Sequence, residues 1–167
     1  GGVQRALFHP GEPSPATRER WQVPAGRAVV LNPRNFRPSY VRNDTFFAAI
    51  PLVLETRPDA CFVGIGMAGH PLAEAWRSRP GLGDAIRLLP SVTRTEMAEL
   101  FRLSDITVSP SMHDGTPNTL LEAMASGAFP VAGDIESVRE WIIDGENGLL
   151  CDPGDPRSLA AALVPAL

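Results

Sequence analysis

Six short apolar runs, each followed by a stretch of helical periodicity, recur along this chain, and that alternation limits its fold more than any other feature. The runs cover residues 28–31, 60–63, 85–89, 105–108, 129–132 and 148–151. Most are continuously apolar, the pattern of a strand covered on both faces. Helices are expected at 44–56, 70–78, 95–103, 117–126, 136–143 and 156–164. Asp44, Thr93 or Thr95, and Asp155 serve as N-caps; Gly127 follows the fourth helix and Pro156 opens the last. Pro51 kinks the first of these helices or marks its first turn. Strands separated by helices join through right-handed crossovers into one sheet. The fold class is therefore α/β: a doubly wound, Rossmann-like, parallel six-stranded sheet with helices on both faces. Residues 1–27, broken by Pro10, Pro13, Pro15 and Pro24, are irregular apart from a short helix at 16–21, and the Rossmann-like domain runs over 28–167.

Composition narrows the chemistry. All 15 basic residues are Arg and none is Lys, against 19 acidic residues. This excludes a Walker-type phosphate loop and a Schiff-base lysine. Any side-chain cation on a phosphate must be an Arg fork, although codon bias alone also produces such a chain. The net charge of −4 argues against nucleic acid as a partner. No apolar run is long enough to span a membrane. Cys61 and Cys151 are far apart, each inside an apolar run, and read as buried free thiols of a reducing, cytoplasmic setting. His9, His70 and His113 lack ligand spacing, so no metal site is expected.

In doubly wound sheets, ligands bind beyond the carboxyl ends of the strands. The loop after the first strand carries Arg34, Arg37 and Arg42, an anion cradle or a solvated loop. After the second strand stands Gly64-Ile65-Gly66-Met67-Ala68-Gly69, a G-x-G-x-x-G. It raises the alternative of an NAD(P)- or flavin-binding oxidoreductase domain. The acidic residue such a site needs after the next strand is absent, which favours a structural turn. After the fourth strand come Asp114, Gly115, Thr116 and Pro117, then Asn118, Thr119, Leu120 and Glu122 on a helix. Gly115 lets a ligand approach the backbone, Thr116 can cap, and Pro117 suits the first helical position. The amides of Asn118, Thr119 and Leu120 then form an anion site for a phosphate or diphosphate. Glu122, one turn along, is placed to accept hydrogen bonds from sugar hydroxyls. The alternative is a capped surface helix with incidental acids.

This stretch resembles the C-terminal nucleotide-sugar-binding domain of retaining GT-B-fold glycosyltransferases, the glycosyl transferases group 1 family. The resemblance rests on Ser109-Pro110-Ser111, Asp114-Gly115, Glu122-Ala123-Met124-Ala125-Ser126-Gly127 and Pro130-Val131. It extends through Phe62-Val63-Gly64-Ile65-Gly66, Asp144-Gly145-Glu146-Asn147-Gly148-Leu149-Leu150 and Pro153-Gly154-Asp155. It makes 1–27 a connecting segment from a preceding N-terminal domain. It implies a transferase whose donor is a nucleoside-diphosphate sugar (UDP-, GDP- or ADP-sugar), with no cofactor or metal required. Diphosphate is held by amides from Gly115 to Thr119, ribose by Glu122, the transferred sugar by Asp114, and the base near residues 89–92. The acceptor is bound mainly by the N-terminal domain, and peripheral membrane contact of the longer protein stays open. The chain alone is expected to bind nucleotide weakly, to be inactive, and to lack a final crossover helix.

Two departures from the family pattern matter. Asp114 stands where the family usually carries Glu, one methylene longer. The family's phosphate-facing Arg and Lys pair must be two arginines, with Arg42 replacing the Lys and Arg34 or Arg37 taking the Arg role. A non-catalytic nucleotide-sugar sensor of the same fold is the remaining alternative.

Overall fold

The computed structural model describes residues 2–36 and 39–167. Strands β1 (Val29–Asn32), β2 (Cys61–Gly64), β3 (Ile86–Leu88), β4 (Ile106–Ser109), β5 (Phe129–Gly133) and β6 (Leu149–Cys151) form one sheet. Its order is β3-β2-β1-β4-β5-β6 and every pairing is parallel. The chain builds outward from β1 to β3, then returns to the other side of β1 to build β4 to β6. The loops after β1 and β4 therefore diverge at the centre of the carboxyl edge, and a crevice opens between them.

Helix α1 (Pro15–Trp21) precedes β1, and α2 (Asn43–Leu54), α3 (Pro71–Arg77), α4 (Arg94–Leu103), α5 (Asn118–Ala125), α6 (Glu136–Arg139) and α7 (Pro156–Ala166) each follow a strand. Alternate strand residues feed two cores. Val30, Phe62, Ile106, Val108 and Val131 meet Phe46, Phe47, Ile50 and Val53 of α2 and Leu159 and Leu163 of α7. Val29, Leu31, Cys61 and Val63 meet Ala98 and Phe101 of α4 and Ala123 of α5. Phe8 and Val23, from the irregular first residues, complete this second layer, so that segment packs onto the sheet. Burying a side chain such as Phe47 completely is worth about 2–3 kcal/mol.

Two expected helix ends differ outside the site. Asp44 does not cap α2: Arg42 stands at the N-cap in the left-handed region, φ 56°, and Asp44 pairs with its guanidinium. Pro51 lies inside α2, beyond its first turn. The helix expected at 136–143 stops at Arg139. The Asn147 side chain donates to the Trp141 carbonyl at 2.8 Å and accepts the Ile143 N–H at 2.7 Å, the donor that a helix through 143 would give to the Arg139 carbonyl. Thr93, in contrast, caps α4 in a full capping box with Glu96.

Candidate functional site

The loops after β1, β2, β3 and β4 enclose a cleft of about 470 Å³ at the point where the strand order reverses. Pro33, Arg34, Asn35 and Tyr40 line it from β1, Ile65 and Gly66 from β2, and Ser91, Val92 and Met97 from β3 and α4. Asp114, Thr116, Asn118 and Thr119 line it from β4 and α5.

A buried amide pair positions the β1 loop. Asn32, the last strand residue, donates through Nδ2 to Asn43 Oδ1 at 2.8 Å and accepts the Arg34 N–H at 2.9 Å. Asn43 Nδ2 in turn donates to the carbonyls of Arg34 and Asn35 at 3.0 and 2.9 Å. Both asparagines are buried, so these bonds offset their desolvation and hold the loop in one path. The Arg34 guanidinium then reaches Asp114 Oδ2 at 2.8 Å. The pair is partly withdrawn from water, the side chains being 25% and 14% exposed, so it is screened less than a surface ion pair.

Arg42 does not join them. It is bidentate to Asp44 (Nε to Oδ1 and Nη2 to Oδ2, each 2.9 Å), its Nη1 lies 3.1 Å from Met112 Sδ, and it is not among the residues lining the cleft. Hydrogen bonding by this guanidinium holds the Asp44 carboxyl below its ordinary range. Arg37, the third candidate, lies outside the described residues. Tyr40 lines the cleft, although nothing in the sequence pattern singled it out. Its carbonyl accepts the Met112 N–H at 2.7 Å, and its ring meets His113 edge-on at 6.0 Å.

Across the cleft, α5 starts differently from the expectation. Pro117 is the N-cap and no side chain caps it, so Thr116 is not the cap. The Asn118 N–H is used by the Thr116 carbonyl at 2.8 Å. The amides of Thr119 and Leu120, in the first turn, have no acceptor within the helix. The Leu120 side chain is buried with Ala132, Val138 and Ile142, which anchors this end of the helix. Gly115 leaves open space where a Cβ would stand. Glu122, one turn below, is not part of the cleft lining; its Oε1 accepts from Arg94 Nη2 at 3.2 Å.

The Gly64–Gly69 turn is a structural device. The amides of Ile65, Gly66, Met67 and Ala68 go to the carbonyls of Asn32, Pro90, Leu89 and Leu89, and the Gly69 amide goes to Glu74 Oε1. Gly66 and Gly69 sit at φ 72° and 80°, and α3 begins at Pro71, which has no N–H. No amide of this turn is left to cradle a pyrophosphate, so the dinucleotide reading is set aside. Among the described residues, no group of three His, Cys, Asp or Glu could hold a metal ion, and no helix is long and apolar enough to cross a membrane.

Residues 27–167 match the family described as Glycosyl transferases group 1. The chain is 30% identical to D-inositol 3-phosphate glycosyltransferase of Thermobispora bispora, over 99% of this chain and 41% of that protein. It thus spans about two-fifths of the length of such curated relatives. Among solved structures, it resembles the C-terminal domain of a glycosyl transferase group 1 family protein (LpcC) from Francisella tularensis. That match has a TM-score of 0.80 and 24% identity, covering 97% of this chain and 86% of that one. It also resembles HepE from Anabaena, solved in complex with UDP and glucose, with a TM-score of 0.81 and 21% identity, over 98% of this chain and 45% of that one.

Proposed function

The chain belongs to the glycosyl transferases group 1 family, matched over residues 27–167, and from that premise we propose that it is the nucleotide-sugar-binding domain of a longer glycosyltransferase. The observation that carries this reading is the cleft at the strand reversal, where the Arg34–Asp114 pair faces the start of α5. A nucleoside-diphosphate sugar fits its chemistry from end to end. The base lies towards Ser91, Val92 and Met97, against the turn of Ile65 and Gly66. The diphosphate lies between Arg34 and the amides of Thr119 and Leu120, where the helix dipole favours negative charge. The transferred sugar lies beside Asp114. Glu122, oriented by Arg94, accepts hydrogen bonds from the ribose. Arg42, engaged by Asp44, is left out of the phosphate site.

In this reading the sugar is transferred with its configuration retained, through an oxocarbenium-like state. Preorganised donors stabilise the departing diphosphate as its negative charge grows. The acceptor is held mainly by the preceding domain of the longer protein. Two buried thiols fit a reducing, cytoplasmic setting. Calorimetric titration of the 167-residue chain with UDP, GDP and ADP tests the reading. We expect one of them to bind, and Arg34→Ala to weaken it at least tenfold. No binding of any of the three at millimolar concentration would overturn it.

A further inference from the structure

A diphosphate is a polyanion, yet the described lining of the cleft holds little positive charge. Among the described residues lining it, Arg34 is the one cation, and Asp114 already neutralises it at 2.8 Å. Proton donors without charge must therefore supply part of the phosphate recognition.

Tyr40 is placed to do so. It is 38% exposed and lines the cleft beside Arg34 and Asp114. Two contacts hold it in place: the Met112 N–H on its carbonyl at 2.7 Å, and the edge-on His113 ring at 6.0 Å and 88°. Both partners lie within two residues of Asp114, so Tyr40 is held against the β4 loop. Neither contact uses the phenol hydroxyl.

We propose that the Tyr40 hydroxyl binds the donor's phosphate, donating a hydrogen bond beside Arg34, so that a neutral side-chain donor joins the guanidinium and the α5 amides. The inference rests on the nucleotide-sugar reading. Tyr40→Phe is the decisive variant, because ring and main chain survive and only the hydroxyl is lost. Its affinity is measured by calorimetry for whichever of UDP, GDP and ADP binds the parent chain, and for the matching nucleoside as a control without phosphate. We expect about tenfold weaker diphosphate binding, the usual cost of losing a hydrogen bond to a charged acceptor, with nucleoside affinity unchanged. Equal diphosphate affinities in parent and variant, or equal weakening of nucleoside and diphosphate, overturn the inference and leave the donor reading standing. A parent chain that binds none of the three overturns both. As a second variant, Tyr40→Lys is expected to tighten the diphosphate and not the nucleoside; loosening of the diphosphate counts against the inference.

Discussion

Arg34 and Asp114 meet at 2.8 Å across the line where the sheet reverses, one from the loop after β1 and the other from the loop after β4. They are 80 residues apart in the chain, and both line the cleft. An anion entering the site must share Arg34 with Asp114 or displace it.

That competition makes Asp114→Asn informative. A partly buried pair of this kind is worth about 1 kcal/mol, so freeing Arg34 should tighten bare UDP about fivefold. Calorimetry checks this; an unchanged or weaker affinity would mean that the carboxylate does not compete with the phosphates.

Two glycines separate folding from binding. A Cβ on Gly133 would run into the Ser111 carbonyl oxygen and come within 3.0 Å of Pro153 Cβ. Gly133→Ala should cost about 2 kcal/mol, lowering the melting temperature by roughly 4–8 °C. A Cβ on Gly115 meets nothing within 4 Å and requires no unusual backbone. Gly115→Ala should therefore melt like the parent chain and lose nucleotide affinity, because the new methyl occupies ligand space. Melting curves and titrations on both variants give the comparison, and full UDP affinity in Gly115→Ala would remove that residue from the site.

The proposed donor reading gives the ribose to the Glu122 carboxylate, which accepts from Arg94 at 3.2 Å. Glu122→Gln should weaken UDP about tenfold or more, since a charged acceptor is lost. It should weaken 2′-deoxy-UDP much less, because part of the diol it serves is already gone. Equal losses on both ligands would place Glu122 elsewhere.

The Arg42–Asp44 pair predicts a pH-dependent stability. Arg42 depresses the folded pKa of Asp44, so the stabilisation is present above the unfolded value near 3.9 and lost as pH falls through the folded one. Asp44 is 68% exposed, which limits the gain to less than about 1 kcal/mol. Urea titrations should find Asp44→Asn slightly less stable than the parent at pH 7, with the gap closing below about pH 4. A gap that persists in acid would point to packing as its cause.

Burial pushes the Cys151 thiol up to about 12 and raises that of Cys61. Neither should react with a thiol reagent in native protein at pH 8, where only about one Cys151 in ten thousand is thiolate. Both should react in urea. Rapid native labelling at either position would mean that the cores around β2 and β6 open locally.

The strands were legible because each is a short, mostly apolar run, a signal carried by neighbours in sequence. The helix starting at Arg94 was legible for the same reason, since Thr93 and Glu96 form a local capping box. The shortened α6 was not, because Asn147 terminates it from beyond the helix. Within the site, the α5 start and Asp114 stood out through Gly115, Pro117 and the spacing of the acids. Tyr40, Asn32 and Asn43 carried no comparable signal. Two buried asparagines eleven residues apart hint at a pinned loop only once both are known to face inward.

The sequence by itself determined the α/β class and the six strands, because periodicity acts over a few residues. It offered three arginines after β1, with Arg42 favoured in place of the family's Lys and Arg34 or Arg37 in the Arg role. Tertiary structure decided between two of them, turning Arg34 to Asp114 and Arg42 to Asp44. It also spent the amides of the Gly64–Gly69 turn on the backbone of neighbouring loops. Those choices depend on which groups the strand order brings within hydrogen-bond reach, and the order β3-β2-β1-β4-β5-β6 sets that by crossing the chain back over itself.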